Sequence, residues 1–130
     1  MLVTGGTGLV GHGIQDVYKE FYHSDSSVQF TFLGSKDANL LDRASTLALF
    51  AKLKPSHVIH CAARVGGLFL NMRSPVELGR ENILMAENVM EACALHKCVL
   101  VSFLSTCIFP DKTTYPIDET MLHNGPPQYV

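Results

Sequence analysis

The sequence lacks long apolar runs and an excess of charge of either sign. No apolar stretch approaches the roughly 18 residues of a membrane-spanning helix, and no basic segment opens the chain as in a secretory signal. Ten Lys and Arg side chains face twelve Asp and Glu side chains, a formal charge of −2. A nucleic-acid-binding face needs clustered basic charge. We therefore predict a cytoplasmic protein with neither a membrane nor a nucleic acid as partner.

Clustered metal ligands are also missing. The four cysteines have no Cys-x-x-Cys spacing and lie among apolar residues, which predicts free thiols in a reducing compartment. His57 and His60 are three residues apart on a predicted strand, so their side chains point to opposite faces. We predict no metal site.

The composition is that of a folded domain, since 47% of the 130 residues are apolar and 17% are charged. Apolar patterning predicts strands at residues 1–4, 28–33, 57–62 and 98–104, with helical periodicity between them. The last of these is almost wholly apolar, which is typical of a strand buried on both faces. Alternating strands and helices predict an α/β fold. The expected architecture is a Rossmann-like doubly wound parallel sheet, incomplete at about four strands.

Local signals set the expected helix ends. Asp42 is a candidate N-cap, and Pro55 stops the helix that follows it. Ser74, Pro75 and Glu77 together predict a capping box at the start of a long helix. Residues 105–130 hold four of the six prolines and are predicted to be an irregular tail.

A glycine-rich loop carries the first functional signal. Gly5, Gly8 and Gly11 are spaced three apart between a predicted strand and helix. The first glycine allows a tight turn, the second lets a pyrophosphate approach the backbone, and the third lets the helix pack closely. A turn that merely needs positive φ would use glycine too. We predict dinucleotide binding by Gly5, Gly6, Thr7, Gly8, Leu9, Val10 and Gly11.

The end of the second strand indicates which dinucleotide. An NAD site usually places an acid there for the ribose hydroxyl, whereas this chain has Gly34, Ser35 and Lys36. Ser35 and Lys36 could receive a 2′-phosphate, which favours NADP. Asp37 is close to this position, so NAD stays an alternative cofactor. The alternative for Lys36 is an ordinary solvated lysine of the loop.

Three segments carry a resemblance to the extended short-chain dehydrogenase/reductase family. They are Val-Thr-Gly-Gly-Thr-Gly-Leu-Val-Gly at 3–11, His-Cys-Ala-Ala-Arg-Val-Gly-Gly at 60–67, and Leu-Ser-Thr-Cys-Ile-Phe-Pro at 104–110. Within that family the chain is similar to NADP-dependent epimerase–reductases that convert GDP-4-keto-6-deoxymannose to GDP-L-fucose. The resemblance implies that residues 1–130 are the N-terminal part of the cofactor domain, with a C-terminal substrate domain beyond it. It also implies a GDP-sugar substrate and a homodimer.

The resemblance assigns roles to individual residues. Ser105 would hydrogen-bond the sugar carbonyl, and Cys107 would exchange the proton during epimerisation. Ala62, Ala63 and Val65 would line the cofactor cleft. Asn39 would lie at the adenine, where relatives often have an aspartate, and Leu40 would also bind the cofactor. Capping by Ser105 and apolar packing of Cys107 stay open as alternatives.

One family signature is absent, because no Tyr-x-x-x-Lys occurs in the sequence. In the family that pair protonates the keto oxygen during hydride transfer. We therefore expect the 130 residues alone to be inactive. A non-catalytic NADP-binding module and another nucleotide-sugar epimerase or dehydratase are the alternatives.

Overall fold

The protein forms a four-stranded parallel sheet in the computed structural model, which describes residues 1–22 and 27–127. The strands are β1 (Leu2–Thr4), β2 (Thr31–Leu33), β3 (His57–His60) and β4 (Val99–Ser102), in the spatial order β2-β1-β3-β4. The predicted Rossmann-like fold is confirmed.

Four α-helices connect and flank the strands: α1 (Leu9–Val17), α2 (Arg43–Leu53), α3 (Leu68–Arg73) and α4 (Pro75–His96). One turn of π-helix, Tyr18–Tyr22, extends α1, and 3₁₀ turns occupy Thr106–Ile108 and Glu119–Met121. Parallel crossovers are almost always right-handed. The strand order therefore places α1 on one face of the sheet and places α2 and α4 together on the other.

The core lies between the sheet and the pair α2 and α4. Phe50 of α2 and Val89 of α4 are fully buried against Leu2 of β1 and Val58 of β3. Asn88 is the polar member of this layer, and its side-chain amide donates to the Leu40 carbonyl at 2.8 Å. The loop after β2 is thereby tied to α4.

The prediction that the fourth strand is buried on both faces is wrong. Val99 and Val101 are 56% and 51% exposed, and Cys98 and Leu100 are the residues of this run that pack against the core. No strand pairs with the outer edge of β4 among residues 1–22 and 27–127. The apolar run therefore belongs to an edge strand with one helix-covered face. The second strand is also shorter than predicted, since only Thr31–Leu33 pair with Leu2–Thr4 of β1.

The predicted capping box at Ser74 is also wrong. Ser74 ends α3 by donating its N–H to Leu70 O at 2.9 Å, and its side chain makes no cap hydrogen bond to α4. Glu77 instead faces Arg64 at 3.4 Å. The short helix α3, which local signals did not predict, occupies the segment just before Pro75 and fixes the backbone of Ser74. Pro75 does begin α4.

The other predicted boundary signals hold. Asp42 caps α2 by accepting a hydrogen bond from the Ala44 N–H at 3.0 Å. The pKa of the Asp42 carboxyl is held below its usual value, mainly by the hydrogen bond from the Ser45 side chain and also by the one from Ala44. His57 is exposed and His60 buried, as opposite faces require. In the described part of the tail, two 3₁₀ turns and one bridge between Pro110 and Pro127 interrupt otherwise irregular chain.

Two kinds of feature are missing from residues 1–22 and 27–127, a membrane-spanning helix and a cluster of metal ligands. No helix there is both long enough and apolar enough to cross a membrane. No group of three or more His, Cys, Asp or Glu side chains there could hold a metal ion.

Candidate functional site

A crevice of about 660 Å³ opens at the carboxyl ends of the strands. Strand order reverses at β1, since the chain places β2 on one side of it and β3 on the other. Ligands of open α/β sheets bind at such a reversal point. The crevice is lined by every residue predicted to bind cofactor except Gly6 and Lys36: Gly5, Thr7, Gly8, Leu9, Val10, Gly11, Ser35, Asn39, Leu40, Ala62, Ala63 and Val65.

The floor of the crevice is the glycine loop, whose backbone touches both neighbouring elements. Gly5 has φ +71°, and a Cβ there would lie 2.6 Å from Ala62 N. A Cβ on Gly11 would lie 2.4 Å from Gly5 O. Glycine is therefore required at the first position by both conformation and space, and at the third by the close packing of α1 on the loop.

The N-terminus of α1 presents unpaired amides beside this floor. The first intrahelical hydrogen bond runs from His12 N to Gly8 O at 2.9 Å, so the N–H groups of Leu9, Val10 and Gly11 have no acceptor within the helix. The first turn carries no acidic residue. Free N–H groups and the positive end of the helix dipole make this end of α1 suitable for a phosphate.

One side wall is the loop after β2. Gly6 N donates to Leu33 O at 2.7 Å, which joins this wall to the glycine loop. The Asp37 carboxylate turns back to accept from Gly34 N at 2.8 Å, and Asn39 Oδ1 accepts from Leu41 N at 3.1 Å. Asp37, the acid that kept NAD as an alternative cofactor, is thus hydrogen-bonded within its own loop.

The opposite wall is the loop after β3. Its residues Ala62, Ala63, Arg64 and Val65 line the crevice, together with Glu81 of α4. The Arg64 guanidinium contacts both oxygens of Glu81 at 2.6 Å, and this hydrogen bond raises the pKa of Arg64 above its usual value. The positive charge of Arg64 on this wall is therefore paired with Glu81, beside the apolar side chains of Ala62 and Val65.

A buried polar pair lies at the base of the crevice, where one of its members, Thr4, lines the cavity. Thr4 Oγ1 and His60 Nδ1 are 2.6 Å apart, at the paired carboxyl ends of β1 and β3. Burial lowers the pKa of His60, which favours the neutral imidazole. The pair joins the two strands that flank the crevice and adds no charge to its floor.

The two predicted catalytic residues are placed outside the crevice lining. Ser105 follows β4 and accepts from Cys107 N at 3.2 Å, thereby capping the Thr106–Ile108 turn. Ser105 is exposed and Cys107 half-buried. The two side chains are thus neighbours on one turn near the carboxyl edge of the sheet, and their catalytic roles stay predictions.

Several lining residues were not predicted, among them Thr4, Cys61, Arg64, Glu81 and Met85. Arg64 lies inside the segment that carried the family resemblance, so its position offered a signal. Glu81 and Met85 are four apart on α4 and face one side of a helix. Nothing in their local sequence distinguishes them from other polar and apolar helix positions.

Comparisons with known proteins identify relatives over nearly the whole chain. The NAD dependent epimerase/dehydratase family matches residues 1–129. A "Probable GDP-L-fucose synthase" of Drosophila melanogaster and a "GDP-L-fucose synthase" of Dictyostelium discoideum are each 58% identical over 128 residues. Each match covers 98% of this chain and 39% of the relative, so the chain spans about two fifths of the relatives' length.

A solved structure has the same fold. The GDP-L-fucose synthetase of Naegleria fowleri, in a crystal structure bound to NADP, superposes with a TM-score of 0.80 at 42% identity. The match covers 98% of this chain and 40% of that one.

Proposed function

Because the chain belongs to the NAD dependent epimerase/dehydratase family, we propose that it is the dinucleotide-binding part of an NADP-dependent epimerase–reductase. The reaction is conversion of GDP-4-keto-6-deoxymannose to GDP-L-fucose. Residues 1–130 would supply the N-terminal part of the cofactor domain, and the C-terminal remainder of a full-length chain would supply the substrate domain. The observation that carries the proposal is the glycine loop at the sheet's reversal point, in a chain 58% identical to two GDP-L-fucose synthases.

The residues of the crevice fit NADP. The pyrophosphate would lie over Gly5 and Gly8, against the N–H groups at the start of α1, where a side chain would fill the space. Ser35 and Lys36 would meet the 2′-phosphate, with Asp37 held by Gly34. When bound, NADPH supplies the hydride for the reduction.

Ser105 and Cys107 are the proposed catalytic residues of this segment. The Ser105 hydroxyl would hold the sugar carbonyl, and the Cys107 thiol would exchange the proton on the carbon beside it. Their shared turn supports joint action, because one hydrogen bond, from Cys107 N to Ser105 Oγ, fixes their relative position.

A second candidate is a non-catalytic NADP-binding module. The observation that favours it is the lack of a Tyr-x-x-x-Lys pair anywhere in the 130 residues. The two candidates differ in one measurable property, since both bind NADPH and only the first turns over a GDP-sugar.

Helix α4 supports a homodimer of the full-length protein. Val76, Ile83 and Met90 recur at seven-residue intervals on α4 and are 81%, 68% and 53% exposed. A seven-residue apolar repeat is typical of a helix that packs against another helix. We place the dimer in the cytoplasm, where the cysteines stay reduced. Sedimentation of the full-length protein at two chains per particle would support this, and at one chain would contradict it.

The proposed function is tested with a hybrid chain: residues 1–130 of this sequence followed by the C-terminal part of the Drosophila melanogaster relative. We expect the hybrid chain to oxidise NADPH when given GDP-4-keto-6-deoxymannose and to release GDP-L-fucose. The parent relative is the matched control. If the hybrid chain folds and binds NADPH but turns over no GDP-sugar, the non-catalytic module replaces the enzyme.

Lys36→Ala is expected to weaken NADPH binding to the hybrid chain far more than NADH binding. A charge-assisted hydrogen bond to the 2′-phosphate contributes about 1.5–3 kcal/mol, and NADH has no such phosphate. Titration of both cofactors measures the difference, with Lys52→Ala on α2 as a lysine control outside the crevice. Equal losses for the two cofactors would show that Lys36 does not read the 2′-phosphate.

Cys107→Ser in the hybrid chain is expected to impair epimerisation more than reduction, because only epimerisation exchanges a carbon-bound proton. Ser105→Ala is expected to slow both steps by loosening the carbonyl's position. Incorporation of solvent deuterium into the sugar ring isolates the first step. Unchanged incorporation in the Cys107→Ser variant would assign Cys107 to packing.

A further inference from the structure

The side chain of Asn82 binds the backbone of a residue in the loop after β3. Asn82 Oδ1 accepts from Arg64 N at 2.7 Å, and Asn82 Nδ2 donates to Arg64 O at 2.9 Å. Both ends of the amide are therefore used on one residue, 18 positions earlier in the chain. A side-chain amide paired in this way replaces the hydrogen bonds that a neighbouring strand would give.

The contact falls where the loop leaves the sheet. Hydrogen bonding of β3 to β1 and β4 ends near Cys61, whose N–H donates to Thr4 O at 3.1 Å. Arg64 lies three residues beyond it, and its neighbours Ala63 and Val65 line the crevice. Asn82 does not line the crevice itself. Its amide fixes the backbone from which the wall's side chains project.

The ion pairs of Arg64 do not explain this restraint. The guanidinium of Arg64 contacts Glu81 at 2.6 Å and Glu77 at 3.4 Å, but its side chain is 44% exposed. Such pairs are screened by water and salt, and they constrain the end of a long side chain. The two hydrogen bonds of Asn82 act on the main chain, which is the part that sets the wall's position.

We propose that Asn82 is a positioning residue for cofactor binding, which holds the loop after β3 in the shape that the dinucleotide requires. The proposal rests on the proposed function, because it concerns the same crevice. It predicts that loss of the amide weakens NADPH binding while the chemistry at saturating NADPH continues.

The test uses three variants of the hybrid chain. Asn82→Leu keeps the side chain's size and removes both hydrogen bonds; we expect KM for NADPH to rise about tenfold, the equivalent of ~1.4 kcal/mol, with kcat little changed. Hydrogen exchange of the Arg64 amide in the cofactor-free protein should accelerate about tenfold as well.

Asn82→Asp keeps the acceptor and loses the donor, so we expect exchange of the Arg64 amide to stay slow and KM for NADPH to rise about threefold. Glu77→Gln is the control, with KM unchanged.

The outcomes separate this proposal from the proposed function. A hybrid chain that does not bind NADPH overturns the proposed function before any variant is made. If the hybrid chain binds NADPH and Asn82→Leu leaves its KM unchanged, the positioning role is refuted, whatever happens to amide exchange. A fall in kcat equal to the rise in KM also refutes it. Should Asn82→Leu fail to fold, Asn82→Asp decides, because an unchanged KM there contradicts the proposal.

Discussion

Gly11→Ala is expected to abolish detectable NADPH binding by the hybrid chain and to destabilise its fold. The new Cβ would lie 2.4 Å from Gly5 O and 2.6 Å from Gly6 Cα, which are backbone atoms that cannot rotate away. Either α1 moves off the loop or the loop changes shape, at a cost of about 3 kcal/mol in the free energy of unfolding. Both responses remove the amides of α1 from the position that a pyrophosphate needs. Fluorescence titration with NADPH and urea unfolding measure the two effects.

Gly13→Ala is the matched control, on the same helix two residues away. A Cβ on Gly13 meets nothing within 4 Å. Alanine in a helix is more favourable than glycine by roughly 0.5–1 kcal/mol, so this variant is expected to bind NADPH normally and to unfold at slightly higher urea. If both variants bind NADPH alike, the third glycine does not serve close packing beneath a bound cofactor.

The 130-residue polypeptide alone is expected to show no turnover of GDP-4-keto-6-deoxymannose, weak NADPH binding and a tendency to associate. It contains no Tyr-x-x-x-Lys pair to protonate the keto oxygen. Its edge strand β4 exposes Val99 and Val101, followed by Phe103 at 57% and Leu104 at 75%. An exposed, apolar edge strand is a template for pairing between chains. NADPH absorbance, light scattering and thermal unfolding measure the three properties.

The hybrid chain is the control for the polypeptide, because it shares the same first 130 residues. Monodisperse, cooperatively unfolding material that oxidises NADPH with the sugar nucleotide would contradict this prediction. It would also show that the Tyr-x-x-x-Lys pair is dispensable for the reaction.

The fold could be predicted from the sequence because its main features depend on interactions between neighbouring residues. Alternation of strands and helices gave the parallel sheet, and Asp42 marked the start of α2 because its side chain accepts a hydrogen bond from the Ala44 N–H, two residues away. The glycine loop was predictable for the same reason, since the positive φ of Gly5 and the contact of Gly11 with Gly5 both arise within the loop and the helix that follows it. These features depend on residues close together in sequence.

The errors concern features that depend on distant residues. The sequence at 98–104 is apolar enough for a central strand, but the exposure of Val101 depends on which distant elements pair with β4 and cover its faces. Ser74 and Glu77 have the spacing of a capping box. In the structure the Ser74 N–H instead donates to Leu70 at the end of α3, and the Glu77 carboxylate faces Arg64.

The same limit applies to the crevice. Its glycine floor was predictable, while the contact of Asn82 with Arg64 joins residues 18 apart across a helix boundary. No local periodicity indicates such a contact. The contact that positions this wall of the crevice could therefore not be predicted from the sequence.

A crystal structure of the hybrid chain with NADP tests the central claim most directly. The account predicts the pyrophosphate against the N–H groups at the N-terminus of α1, above Gly5 and Gly8, with the 2′-phosphate beside Ser35 and Lys36. It also predicts that the loop after β3, held by Asn82, contacts the cofactor through Ala62, Ala63 or Val65. NADP bound elsewhere, with the crevice at the end of β1 filled by water, would contradict the account.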